Sequence, residues 1–230
     1  YRDMDIGTAK PSAAERARVV YGGLDLADPD ESFSVGKYID HARGLLQKSW
    51  AKGQQPIVVG GTGLYVKCLT EGLAPLPPAD PALRAWAGDI LERQGIQELQ
   101  KALKERDPAR FEGLRDKNNP RRIIRALEVA GRDPGTAKTW SSSPRAPLIG
   151  LDIEPTLLSE RIRSRVRKMY DDGLLDEVDR LMSSFVKLSA TASQAIGYAE
   201  AIAVRHGSMT LTDAMEKTVA RTRQLAKRQM

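Results

Sequence analysis

Ile57-Val58-Val59-Gly60-Gly61-Thr62-Gly63-Leu64-Tyr65 is the stretch on which the reading of the fold turns. Three β-branched residues after Pro56 predict a buried strand, the glycines turn the chain, and a helix begins at Leu64. A glycine-rich turn that feeds a helix N-terminus leaves backbone N–H groups unpaired, and the helix dipole adds partial positive charge there. Such a turn holds an anion well, and glycine is suited to it because a Cβ would keep the ligand away from the backbone. Thr62 supplies the turn's only hydroxyl. The plainer alternative is a tight strand-to-helix connection with no ligand, so the rest of the chain has to decide.

Upstream, Val19-Val20 and Leu24-Asp25-Leu26 are short strand candidates, and Ser34 is an N-cap with Phe33 before it as a hydrophobic staple. The helix that follows places Tyr38, Ile39, Ala42, Leu45, Leu46 and Trp50 on one face, and Gly53 ends it before the strand at 57–59. A helix leading into a buried strand is half of a βαβ unit and predicts a parallel α/β sheet. Downstream, Pro75-Leu76-Pro77-Pro78 reads as a stiff hinge. Beyond it Asp80-Pro81, Asp107-Pro108 and Asn119-Pro120 each set a capping side chain before a proline at the first helical position. Residues 80–130 are therefore expected to be all helical. A Gly-, Ser- and Pro-rich loop runs from Gly131 to Pro147, and Leu148–Ile153 reads as a further strand. Two helices close the chain. One, over 157–172, has Leu158, Ile162, Val166 and Met169 as its apolar stripe; the other, from about Thr212, turns Met215, Val219, Thr222 and Ala226 inward. The expected division is 1–74 and 147–230 as an α/β core around a helical insertion at 75–146.

The 230 residues carry a formal net charge of +6 and an isoelectric point near 9.5. That balance predicts a phosphate-rich partner, because Lys and Arg gain by releasing its counterions. Cys68 is the only cysteine, so no disulfide framework exists and a reducing compartment is expected. His41 and His206 are the only histidines, too few nitrogen and sulfur ligands for a zinc site. No apolar run approaches the roughly 20 residues of a membrane span, and no signal peptide is visible. A cytoplasmic protein is expected. No Ser-His-Asp or Cys-His set is present.

Arg121-Arg122-Ile123-Ile124-Arg125 sets three arginines in the first turns of a helix, where the dipole disfavours each cation by about 0.3–1 kcal/mol. A polyanion in contact with them would explain the placement; a solvated basic face, or pairing with Glu128 and Asp116, would explain it too. Ile123, Ile124 and Leu127 face a core in either case. The closing Thr222-Arg223-Gln224-Leu225-Ala226-Lys227-Arg228-Gln229 alternates guanidinium and amide donors that suit phosphate oxygens, with ordinary solvated surface charge as the alternative. Gln194-Ala195-Ile196-Gly197-Tyr198 reads as a turn entering a helix, with an amide and a phenol able to pair with or stack on a base; taken alone, such residues more often belong to a core and a cap. Met4-Asp5-Ile6-Gly7-Thr8-Ala9-Lys10-Pro11 has neither helical nor strand period and reads as a functional loop or a frayed end.

Taken in order, these segments resemble the tRNA dimethylallyltransferase (tRNA isopentenyltransferase) family. Asp3–Pro11 matches the family's Gly-Met-Asp-Ile-Gly-Thr-Ala-Lys-Pro with Asp3 in place of glycine. Gly60–Tyr65, Arg121–Val129, Gly173-Leu174-Leu175-Asp176-Glu177-Val178, Gln194–Tyr198 and Thr222–Gln229 follow in the family's order. The resemblance implies a P-loop-NTPase-like parallel sheet core with an all-helical insertion domain. It implies transfer of the dimethylallyl group of dimethylallyl diphosphate to N6 of the adenine beside the anticodon. Mg²⁺ would accompany the diphosphate, the tRNA anticodon stem-loop would be the partner, and the enzyme would act as a monomer. Carried over by position, Thr62 is the catalytic-site threonine that also meets tRNA. Arg84, Arg121, Arg122, Ile123, Ile124 and Arg125 are tRNA contacts, as are Ser193, Gln194, Ala195, Ile196, Gly197 and Tyr198. Gly60, Gly61, Lys10 and Arg223 are expected on the diphosphate, and no residue is expected as a metal ligand. The family's phosphate loop, Gly-Pro-Thr-Ala-Ser-Gly-Lys-Ser/Thr, and the Asp-Ser segment with its general base are expected upstream of Tyr1. Gly22-Gly23 stands where the family often has two histidines, and Met182–Ser193 is short. The alternatives are an isopentenyltransferase acting on free adenine nucleotides, a non-catalytic RNA-binding fragment, and a P-loop kinase. The kinase's defining lysine motif does not occur in the chain.

Overall fold

The computed structural model describes residues 1–72, 77, 79–131 and 147–229. The chain divides into two compact units, Tyr1–Gly72 with Ser141–Met230, and Leu73–Trp140. In the first, the leading helices are α1 (Ala13–Arg18), α2 (Val35–Ala51) and α3 (Gly63–Glu71). Ser12 and Ser34 cap the first two: Ser12 Oγ accepts from the Glu15 amide, and Ser34 Oγ from the Lys37 amide. Helix α2 ends at Ala51, two residues before Gly53, whose φ of +68° suits glycine. Tyr38 and Tyr65 stack with ring centroids 4.7 Å apart where α2 packs on α3.

The second unit holds α4 (Pro81–Gln94), α5 (Ile96–Arg106), α6 (Pro108–Glu112) and α7 (Pro120–Glu128). The three acid- or amide-proline starts work as predicted. Asp80 accepts from the amides of Ala82 and Leu83, Asp107 from that of Arg110, and Asn119 from that of Arg121. Ala87, Leu99, Leu103, Ile123, Ala126, Leu127 and Ala130 form its core.

The first unit continues with α8 (Pro155–Asp171), α9 (Leu174–Ser184), α10 (Ala190–Ser193), α11 (Tyr198–Arg205) and α12 (Leu211–Gln229). The predicted stripe of α8 is the buried one: Ile162, Val166 and Met169 are covered, and Ile162 and Val166 pack with Val219 of α12. A second cluster joins Met4 and Met169 to Leu174, Val178, Leu181, Ala192, Tyr198 and Ala201.

The expected sheet is not found among the described residues, which form helices, turns and coil and no strand ladder. Residues 57–59 and 148–153 are unladdered coil; Ile57 is 85% exposed, Val59 90% and Leu151 94%. Val19-Val20 and Leu24–Leu26 likewise form no strand. The physical reason is the missing partner. A strand's N–H and C=O groups need a ladder and its apolar side chains need a cover, and the described residues supply neither to these segments. No helix among them is long and apolar enough to cross a membrane.

Candidate functional site

Thr62 is the N-cap of α3, with φ −82° and ψ 100°, yet its exposed hydroxyl makes no capping hydrogen bond. The first amides of a helix have no intrahelical acceptor, so the turn keeps both its N–H groups and a free side-chain oxygen. A Cβ built on Gly61 would come within 2.6 Å of the Gln229 side chain. The end of α12, expected on phosphate, therefore abuts the glycine turn expected on phosphate, across 168 positions of sequence (229 − 61). On the same helix, the Arg223 Nε is buried and finds no acceptor among the described residues. An unpaired buried donor costs about 1–3 kcal/mol, a cost that a ligand oxygen removes.

Lys10 sits differently from that pair. Its side chain is 7% exposed, and Nζ lies 2.5 Å from both Asp5 and Asp25 and also donates to the Tyr1 carbonyl. Hydrogen bonding from Lys10, with Arg16 in support, outweighs burial and holds the Asp25 carboxyl below the usual carboxylate range. The ammonium expected on diphosphate is thus already neutralised. It borders a cavity of about 870 Å³ between the Asp3–Pro11 loop and α8, lined also by Asp3, Arg16, Arg165 and Lys168.

That loop is pinned rather than frayed. The buried Glu177 carboxylate accepts from the amides of Asp5 (3.1 Å) and Ile6 (3.0 Å), and from the Tyr198 hydroxyl (2.5 Å). A Cβ on Gly7 would collide with the Tyr198 ring. Tyr198 is fully buried, and its phenol is driven far above its ordinary pKa by burial and by Glu177. Of the two readings of this ring, the core one holds: Tyr198 does not stack on a base, and its hydroxyl is already spoken for. In the same turn Gly197 is buried, Ser193, Ala195 and Ile196 are half-buried, and Gln194 is exposed.

In the Leu73–Trp140 unit, the arginines divide. The Glu128 side chain is wholly buried, with Arg84 Nε at 2.7 Å on Oε1 and Arg125 Nη1 at 2.7 Å on Oε2. The Asp80 amide also donates to Glu128, and Arg125 Nη2 donates to the Pro77 carbonyl. Burial pushes this carboxyl up, but the three hydrogen bonds outweigh it and leave the pKa low. Pairing with Glu128 thus accounts for Arg125, and for Arg84 as well. Arg121 and Arg122 are exposed, Ile124 is half-buried, and Ile123 is fully buried in the helical core, which removes it from the RNA contacts expected there. Among the described residues there is no group of three His, Cys, Asp or Glu side chains that could hold a metal ion.

The family model described as IPP transferase matches residues 1–230. The chain belongs to this family. It is 40% identical to the tRNA dimethylallyltransferase of Pseudarthrobacter chlorophenolicus over all of this chain and 77% of that protein. It is 41% identical to that of Streptomyces griseus, over all of this chain and 74% of the relative. Among solved structures, the tRNA isopentenylpyrophosphate transferase of Bacillus halodurans superposes with a TM-score of 0.67 at 36% identity, over the whole chain and 73% of that protein. A eukaryotic dimethylallyltransferase acting on tRNA superposes with a TM-score of 0.73 at 25% identity, covering 100% and 60%.

Two departures of this IPP transferase from the family pattern have local explanations. Asp3, where the family motif has glycine, adopts φ +57°, a left-handed conformation that aspartate tolerates better than most residues. At Gly22, where the resemblance leads one to expect a histidine, a Cβ would lie 2.5 Å from Leu45 Cδ1, so a side chain there requires the Leu45 side chain to shift. The sequence reading missed Glu177 and Glu200 as organising residues. A glutamate among Leu174, Leu175 and Val178, and one three residues after Gly197 at a helix start, were the available signals.

Proposed function

We propose that the chain transfers the dimethylallyl group of dimethylallyl diphosphate to N6 of the adenine beside the anticodon of tRNA. The observation that carries this reading is the full-length family match to proteins named for that reaction. In the transfer, the exocyclic amine forms a bond to the prenyl C1, the C1–O bond breaks, diphosphate leaves with the electron pair, and the amine gives up a proton. The acceptor of that proton is proposed to be the aspartate of the family's Asp-Ser segment, which precedes the Asp3–Pro11 motif. The amides of the Gly60–Gly61–Thr62 turn and the unpaired Arg223 Nε are suited to the departing oxygens. Thr62, its hydroxyl uncommitted, is suited to hold the adenosine. Arg122 and Arg121 are suited to the phosphates of a stem-loop, while Arg84 and Arg125 shape the surface through Glu128.

Mg²⁺ is proposed as a companion of the diphosphate, held chiefly through the phosphate oxygens, and no step is routed through it. The exposed apolar segments at 19–20, 57–59 and 148–151 are read as strands of a P-loop-like parallel sheet, which would bury them. A monomer in the cytoplasm is proposed as well; the lone, buried cysteine suits a reducing compartment. The test is prenyl transfer by the complete protein to an anticodon stem-loop RNA and to AMP. Transfer to the stem-loop at an efficiency far above AMP is expected; equal use of AMP would assign the enzyme to free nucleotides instead.

A further inference from the structure

Arg221 is one of the basic residues of α12, and its side chain is only 32% exposed. It does not face outward as a phosphate contact would. Nη1 donates to Glu200 Oε1 at 2.6 Å, and Nη2 donates to the backbone carbonyl of Gln194 at 2.9 Å. The other oxygen of the same carboxylate, Glu200 Oε2, accepts from the Gly197 amide at 2.9 Å, and the Glu200 side chain is 1% exposed. One guanidinium and one carboxylate therefore clasp both ends of the Gln194–Gly197 turn. Gly197 stands at φ +92°, a conformation that glycine adopts readily, and the hydrogen bonds to Glu200 and Arg221 tie down the two ends of the turn.

We infer that Arg221 and Glu200 are positioning residues that hold the Gln194–Gly197 turn in the shape that receives the substrate RNA, without either touching it. The inference rests on the tRNA reading above. Electrostatics and positioning make opposite predictions at Glu200. Removing a negative charge near a polyanion tightens binding if charge alone matters, whereas Glu200→Gln offers one acceptor oxygen to two donors, the Arg221 guanidinium and the Gly197 amide, and opens one side of the clasp.

The experiment titrates an anticodon stem-loop RNA against the full protein over a range of salt. Glu200→Gln and Arg221→Gln are each expected to weaken binding by about three- to tenfold, as the loss of a charge-assisted hydrogen bond implies. The slope of log Kd against log salt should stay that of the parent in Arg221→Gln. The double substitution should be no worse than the weaker single, because both break one bracket. Glu200→Gln binding as tightly as the parent or more tightly overturns the proposal, as does an Arg221→Gln slope reduced by about 0.7–0.9, the mark of a lost phosphate contact. Should Glu200→Gln not fold, Arg221→Gln decides alone through its slope. A parent protein that ignores the stem-loop sinks the tRNA reading and this inference together, whereas a parent that binds while both variants match it sinks this inference alone.

Discussion

Arg122 and Arg125 lie one turn apart on α7 and do different work. Arg125 spends its guanidinium on Glu128 and on the Pro77 carbonyl, both inside its own unit. Arg122 is exposed near the positive end of the helix, where the macrodipole gives it no help. Under the proposed function, a phosphate of the substrate RNA offsets that cost; a solvated basic face is the alternative. Arg122→Ala is therefore expected to weaken stem-loop binding and to lower the salt slope by about 0.9 at a duplex phosphate. Retention of the parent slope in a salt titration would remove Arg122 from the interface. The same change at Arg84 strips one partner from a buried carboxylate, so it shows first as lost stability.

At the scale of elements, Glu128 ties the start of α4 to the end of α7. Its carboxylate takes charge from Arg84 on α4 and Arg125 on α7, and an N–H from Asp80, the cap of α4. Its folded pKa lies below the ordinary glutamate value of 4.5. A depressed carboxyl stabilises the fold above its unfolded pKa, and that contribution is lost as pH falls through the folded pKa. Hydrogen-exchange protection of α4 and α7 is thus expected to be flat from neutral pH to about pH 4.5 and to fall in more acid solution. Glu128→Gln should cost about 1–3 kcal/mol near neutrality, since it leaves an arginine poorly matched. It should also flatten the acid limb, and an acid limb identical to the parent's would show that another carboxylate governs it.

At the scale of the whole molecule, the unusual feature is apolar surface. Val20, Ile57, Val59, Ile149 and Leu151 are each more than four-fifths exposed, and they fall in three coil segments of the same unit. Exposed apolar side chains that adjoin one another mark an interaction site or a liability to aggregate. The 230-residue chain is expected to bind a hydrophobic dye such as ANS while its circular dichroism remains strongly helical. Replacing Ile57 and Ile149 with lysine should cut that fluorescence by about half or more, as two of the three segments each lose an exposed apolar side chain. Unchanged fluorescence would mean that these segments are covered in solution.

Much of the helical framework was legible because its causes are local. Ser34, Asp80, Asp107 and Asn119 each bond an amide two or three residues away, and the α8 stripe repeats every three or four residues. Chemistry that acts over so short a span is written into neighbouring letters. The strands at 57–59 and 148–153 were read by the same local logic, but a ladder is a long-range bond, and propensity alone does not make one. The site shows the same division. The glycine turn and the basic helix were visible separately, whereas their meeting through Gly61 and Gln229 was not. Nor was it visible that Tyr198 would be sealed against Glu177, or that Glu177 would hold amides 171 and 172 positions away. The sequence by itself determined the family, the caps and the helical periods. Only the tertiary structure decided which charges are spent on buried carboxylates and which remain for a ligand, because a buried charge must be matched by whatever neighbour the fold brings to it.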